Sequence, residues 1–251
     1  MASPENKYFV IMPAYNAGKT IERVFTRIPE EARSKISRYV VVDDGSMDNT
    51  LEALGRISSR FPDLIVLQHE KNMGYGAAEK TLLNYACEHD ADIVILLHAD
   101  GQYAPEKIPE LVVPLETGQA DLVQGSRMLG GGALKGGMPL YKYVSNKALT
   151  WIENMAFGLS MAEYHSGYML YHRRALDAIN FGKLSGSFDF DLEMIVAAKI
   201  LGLRVREIPI PTRYGDEISH LNPIRYGINV LKVVYRYRRG HYHALLGTAK
   251  N

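Results

Sequence analysis

In the stretch HADGQY, His98, Asp100 and Gln102 stand at alternate positions directly after the apolar run Ile93 to Leu97. If the extended backbone of that run persists, the three side chains share one side. Carboxylate and amide oxygens suit Mg2+ or Mn2+, and an imidazole fits Mn2+ better than Mg2+. A cation held by few protein ligands leaves positions for phosphate oxygens, the usual arrangement for a nucleoside diphosphate. The competing reading is an ordinary turn capped by polar groups, because Asp and Gly favour turns in any case.

Two further clusters carry the same ambiguity. VVDDGSMDNT places Asp43 and Asp44 where a buried strand enters a glycine turn. Two carboxylates there suit the base or ribose of a nucleotide as hydrogen-bond acceptors. They equally suit an Asx turn and a helix cap. HEKNMGYGAAEKTLLNYA carries Asn72, Gly74 and Gly76 ahead of a helix, in the manner of a phosphate-cradling loop. It lacks the Gly-Lys-Ser/Thr end of a Walker A motif, and no G-x-G-x-x-G follows the first strand, which argues against a dinucleotide fold.

The elements that must position these clusters are legible as apolar runs. Strands are expected at 8–13, 38–44, 64–69, 92–98 and 120–126, and helices at about 18–32, 48–60, 74–89 and 105–117. Alternation of that kind implies right-handed βαβ units and a mainly parallel sheet. Ligands of such sheets bind beyond the carboxyl ends of the strands, where every polar cluster named above falls. The second half differs. MLGGGALKGGMP (128–139) reads as a glycine-rich mobile loop. A helix follows Pro139, with Val144, Ala148, Ile152, Met155 and Leu159 at helical spacing. YHSGYMLYHRRAL reads as strand then helix, 189–202 as a helix, 203–211 as a strand and 223–239 as a last helix.

The chain's 251 residues, 47% of them hydrophobic, suit one domain with a substantial core. A net charge of +1 gives no global attraction to nucleic acid. The single cysteine, Cys87, cannot form an internal disulfide, and a reducing compartment is the simplest expectation. No secretory signal pattern is visible, and no apolar run approaches the roughly 20 residues of a membrane helix, so a cytoplasmic location is expected.

Taken in order, VIMPAYNAGKTIERVF, VVDDGSMDNT, NMGYGAAEKTLLNYA, LHADGQYAPEKIPEL, VQGSRML and IPIPTRYGDEISHLNP resemble glycosyltransferase family 2, inverting nucleotide-sugar enzymes with a GT-A fold. Within it the likeness runs to the dolichyl- or polyprenyl-phosphate mannose or glucose synthase branch. The resemblance implies an α/β, Rossmann-like GT-A domain over 1–251, with a nucleotide-binding half to about 127 and an acceptor-side half after it. It implies that Pro13, Tyr15, Asn16, Asp43 and Asp44 hold base and ribose, and that Gly74, Lys80, Ala99 and Asp100 face the nucleotide. The family's metal motif is Asp-x-Asp followed by Gln. Asp100 and Gln102 match it, while His98 replaces the first Asp. A histidine ligates only as neutral imidazole, so its contribution weakens at low pH. The resemblance further places Ser126 and Arg127 near an acceptor phosphate, which an Arg fork can bind bidentately. Arg213, Ser219 and His220 fall in a segment that closes over the diphosphate in relatives, with His220 replacing the usual cation.

The implied reaction is attack by an acceptor oxygen on the anomeric carbon of a UDP- or GDP-linked sugar, with inversion and a Mg2+ or Mn2+ ion on the leaving diphosphate. A phosphate acceptor is already ionised. A sugar hydroxyl would need a base, for which Asp191, Asp189, Glu193 and Glu163 are candidates. Polyprenyl phosphate is the expected acceptor. A saccharide hydroxyl in glycan assembly is the alternative, and a non-catalytic nucleotide-sugar-binding module is a third reading. The last helix bears Arg225, Lys232, Arg236 and Arg239 on one stripe and Ile224, Ile228, Leu231 and Tyr235 on the next, and no Asp or Glu follows Glu217. That pattern suits peripheral contact with the cytoplasmic membrane face. It also suits a core-packed helix with a basic outer face, or a homodimer.

Overall fold

The computed structural model describes residues 6–211 and 223–248, without the side chains of 223–225. Among these residues seven strands are formed: β1 (Tyr8–Ala14), β2 (Ile36–Asp43), β3 (Leu64–Gln68), β4 (Ile93–Leu96), β5 (Leu122–Ser126), β6 (Met169–His172) and β7 (Val205–Pro209). They make one sheet in the order β3-β2-β1-β4-β6-β5-β7, in which only β6 runs antiparallel to its neighbours.

Period-2 side-chain alternation splits the strands between two cores. Val10 and Met12 of β1 and Ile93 and Ile95 of β4 enter one core. There they meet α1 (Ile21–Thr26), α3 (Thr50–Ser58) and α5 (Ile108–Glu116), near the short α2 (Glu30–Arg33). Phe9 and Ile11, with Val94 and Leu96, enter the other core. That face is covered by α4 (Tyr75–Glu88), α8 (Arg173–Ala178), α9 (Phe190–Ile200), α10 (Pro223–Arg238) and α11 (His241–Leu246). Helices on both faces explain why the central strands are apolar without interruption.

Two expectations are corrected. The helix foreseen over 18–32 is two short helices, because Pro29 at the N-cap of α2 ends the first pattern. The glycine-rich stretch contains a 3-10 turn at Leu129–Gly131 and the short helix α6 (Gly132–Lys135). The helix after Pro139 forms as α7 (Leu140–Phe157), and its apolar positions divide: Ile152 packs against the core, while other large apolar side chains face outward. Leu140 is 69%, Val144 57%, Trp151 66% and Met155 65% exposed. The buried residues of α7 are Thr150, Glu153 and Phe157, and Leu149, Ile152 and Ala156 pack against the core beside them. Phe157 packs edge-on against Tyr237 of α10, with ring centroids 5.0 Å apart.

Candidate active site

The chain runs β1-β2-β3 toward one edge of the sheet and then returns to place β4 on the other side of β1. The switch point therefore lies between the carboxyl ends of β1 and β4, the place where open α/β sheets bind ligands. Pro13, Tyr15 and Asn16 leave β1 there, and His98 to Gln102 follow β4. Asn16 holds a left-handed φ of 51°, which Asn tolerates better than most residues. Its amide N–H donates to Ser46 Oγ at 2.9 Å and its Oδ1 accepts from Met47 N–H at 2.9 Å. The end of β1 is thereby tied to the turn after β2.

The two adjacent carboxylates of that turn have different work. Both are buried. Asp44 accepts from His69 Nδ1 at 2.6 Å and from the backbone N–H groups of Met73 and Gly74 at 2.8 and 3.0 Å. It shapes the loop ahead of α4. Asp43 accepts only a long bond from Ser46 N–H through Oδ1, at 3.3 Å, leaving Oδ2 outside the hydrogen bonds of the described residues. Lys80 stands in the second turn of α4. Its Nζ donates to the carbonyls of Gly182, at 3.2 Å, and Leu184. Gly76 explains the close fit of the same turn, since a Cβ there would lie 2.7 Å from the carbonyl carbon of Gly186.

In the turn after β4, Asp100 Oδ1 accepts from Gln102 N–H at 2.9 Å. Ala99 is buried beneath it, and Asp100 and Gln102 are partly open. His98 is turned inward. Its Nε2 lies 2.9 Å from Tyr75 Oη, and the same hydroxyl donates to Asp191 Oδ2 at 2.9 Å. With the single Tyr75 proton given to Asp191, Nε2 of His98 carries the other, so ligation by this ring falls to Nδ1. Burial lowers the imidazole's pKa, against the opposing pull of Asp100, and favours the neutral ring. Gly167 permits this packing, because a Cβ there would lie 2.7 Å from both His98 Cε1 and Tyr75 Oη.

Among the described residues, no group of three or more His, Cys, Asp or Glu is arranged to hold a metal alone. Asp100 and Gln102 instead offer hard oxygen donors at an open edge. That set fits a divalent cation whose remaining positions are filled by diphosphate and water.

Asp191 lies in the first turn of α9, buried behind Tyr75. Among the described residues its Oδ1 has no hydrogen-bond partner, and neither carboxylate oxygen of the fully buried Glu79 has one. Burial raises Asp191 to about 6 and Glu79 well above the usual carboxylate range. A proton shared within this acidic cluster would satisfy the orphan oxygens.

Arg127 follows β5. Its Nη2 meets Glu163 Oε2 at 2.7 Å and the carbonyl of His165 at 2.6 Å, and its Nε lies 3.2 Å from the same carboxylate. Glu163 is fully buried. Desolvation alone would push it up, but the guanidinium outweighs that and holds it below the usual carboxylate value. Ser126 is buried and accepts from Leu129 N–H at 3.2 Å. Of the other acids, Asp189 accepts from Ser185 Oγ at 3.0 Å, and Glu193 from Ser185 N–H and Tyr242 Oη at 2.6 Å each. Arg213, Ser219 and His220 lie outside the described residues. Sequence reasoning missed Tyr75, Glu79 and Gly167. The only signal was their place in the strand-end segments, since none is a motif residue by type.

This arrangement, a nucleotide-type crevice at the switch point with an oxygen-donor turn beside it, defines the GT-A class of α/β folds. Solved structures agree. Glucosyl-3-phosphoglycerate synthase from Mycobacterium tuberculosis, in complex with Mn2+, UDP and phosphoglyceric acid, superposes with a TM-score of 0.64 at 18% identity, covering 98% of this chain and 80% of that one. The model of glycosyl transferase family 2 matches residues 9–179, and the chain belongs to that family of enzymes. Its relatives include an uncharacterised protein of Methanocaldococcus jannaschii, 33% identical over 84% of each chain. A UDP-N-acetylglucosamine–dolichyl-phosphate N-acetylglucosaminyltransferase of Methanococcus voltae is 30% identical over 83% of this chain and 86% of that one. The polyprenol monophosphomannose synthase of Mycolicibacterium smegmatis is 27% identical over 82% and 77%.

Proposed function

We propose that this glycosyltransferase moves a hexosyl group, with inversion, from a UDP- or GDP-linked sugar to the phosphate of a polyprenyl lipid. The observation that carries the donor half is that Asn16 and Asp100 follow β1 and β4 at the switch point, with Asp43 at the carboxyl end of the neighbouring β2. Asp43 Oδ2 accepts from the ribose or base. Asp100 and Gln102 hold the divalent ion, Mg2+ or Mn2+, which when bound neutralises charge on the leaving diphosphate. Tyr75 and Asp191 fix the His98 ring beside that turn as positioning groups. A phosphate monoester with a second pKa of around 6 is mostly ionised at neutral pH and needs no protein base, which fits the burial of Asp191, Glu163 and Glu193.

Two observations support the lipid acceptor. The relatives from Methanococcus voltae and Mycolicibacterium smegmatis are named for dolichyl- and polyprenyl-phosphate substrates. Moreover, α7 and α10 each turn an apolar stripe outward, the second through Ile228, Leu231 and Tyr235. The outward charges on α7 are Lys142 and Lys147, its one acid Glu153 being buried, and α10 carries Lys232, Arg236 and Arg238 with no acid. An apolar face with only basic charges is complementary to an anionic lipid surface. Among the described residues no helix is long and apolar enough to cross a membrane.

The test is a panel of labelled nucleotide sugars with Mn2+, offered polyprenyl phosphate or a glycan. Label should enter the organic phase with polyprenyl phosphate. Label only on the glycan would remove the lipid acceptor. Tight donor binding with no consumption by any acceptor or water would favour a binding module. Opposite anomeric configurations of donor and product, read by NMR, would support inversion.

A further inference from the structure

An open cavity of about 430 Å3 lies between the turn ahead of α9 and the outer side of α10. The turn contributes Ser185, Ser187 and Asp189, and the helix contributes Ile228, Asn229, Lys232 and Arg236. Its inner wall is shared with the donor site. The backbone around Gly186 packs on Gly76, and Phe188 stacks on Tyr75 with centroids 5.3 Å apart, the same Tyr75 that holds His98. Its outer lip is apolar, since Ile228 is followed along α10 by the exposed Leu231 and Tyr235.

The cations decide what this cavity takes. Arg127, which the family resemblance places near an acceptor phosphate, already spends its guanidinium on Glu163 and the His165 carbonyl. Drawing it onto a ligand would strand a fully buried carboxylate. Lys232 has no hydrogen bond or ion pair among the described residues, and Arg236 stands 3.6 Å from Glu193, a long contact. The Asn229 amide and Ser187 hydroxyl add neutral donors, again with no side-chain bond among the described residues. Against these stands Asp189, one oxygen of which is occupied by Ser185 Oγ. Two cations and two neutral donors around one carboxylate suit a dianionic head, and the apolar lip suits an alkyl tail.

We propose that this cavity is the headgroup subsite for a lipid phosphate monoester, with Lys232 as its principal cation and the α10 stripe carrying the first units of the chain. The assignment rests on the lipid-acceptor reading above and turns Lys232, there one of several surface charges, into a ligand of the phosphate beside Asn229 and Ser187. Isothermal titration with a water-soluble prenyl monophosphate of two or three isoprene units tests it, with the matching prenyl alcohol and inorganic phosphate as comparison ligands. Lys232→Ala should weaken prenyl phosphate binding about tenfold or more, as the loss of a charge-assisted bond does, while Lys232→Arg keeps most of it. Nucleotide affinity with Mn2+ should be the same in both variants, which reports an intact fold. The alcohol and inorganic phosphate should each bind far more weakly than the ester. Equal binding by wild type and Lys232→Ala, inorganic phosphate as tight as the ester, or no binding to the wild type would each overturn the subsite. A transfer assay separates the two readings. Transfer to prenyl phosphate with an unchanged acceptor KM in Lys232→Ala sinks the subsite and leaves the function standing. Lys232-dependent binding without transfer sinks the acceptor reading and leaves the lipid-phosphate site standing.

Discussion

Single side chains in this molecule show how one residue type serves opposite ends according to burial. Asp100 is partly open, and in the proposed function it holds the cation, so Asp100→Ala should abolish the Mn2+ dependence of nucleotide-sugar binding in a calorimetric titration. Unchanged affinities would remove it from the site. Glu163 is a carboxylate with no exposure, and Glu163→Gln would remove the counter-charge of its partner Arg127. That variant should lose about 3–5 kcal/mol in chemical denaturation. A loss below about 1 kcal/mol would mean the pair is screened like a surface bridge. Asp191 titrates in the other sense. Burial raises it from 3.8 to about 6, so the folded state holds the proton more tightly than the unfolded chain does. The stabilisation is complete below about pH 4 and is lost as pH rises through about 6. Asp191→Asn should therefore flatten the fall of Tm between about pH 4 and 6, and an unaltered slope would show that this group is not its source.

At the level of elements, the strands were legible because each is a short apolar run ended by a turn cluster, and the structure forms them within a residue or two of the expected ends. The site turns after β1, β2 and β4 were legible for the same reason. What the sequence could not reveal was which acids face inward. Asp43 and Asp44 are adjacent and alike in type, yet only the loop of Met73 and Gly74, brought in from 29 and 30 residues away, makes Asp44 a scaffold residue. Helix α7 was legible as a helix, but the direction of its apolar side chains was not. Ile152 packs against the core, whereas Leu140, Val144, Trp151 and Met155 face outward and Glu153 is buried against His165. Replacing Val144 and Trp151 together by Ser should lower cosedimentation with phosphatidylglycerol vesicles by about tenfold or more, given the apolar area withdrawn. Raising salt should weaken what remains. Equal sedimentation of variant and wild type would show that this face meets something other than lipid.

Across the whole molecule, the two halves read from the sequence are interleaved by strand order. β5, which ends the first half, joins the sheet through β6 and β7 of the second. A fragment ending at residue 127 should therefore lack a cooperative thermal transition and disperse poorly in an amide NMR spectrum, and a sharp two-state melt would refute that. The same order sets a hazard during synthesis. β4 leaves the ribosome with its outer edge bare, and β5 arrives well before the antiparallel strand that belongs between them. A parallel β4–β5 pairing is open to the nascent chain in that interval and must be undone before β6 can insert. The slow step of folding should then be strand exchange at the middle of the sheet, and a chaperone that shields the edge of β4 would speed it.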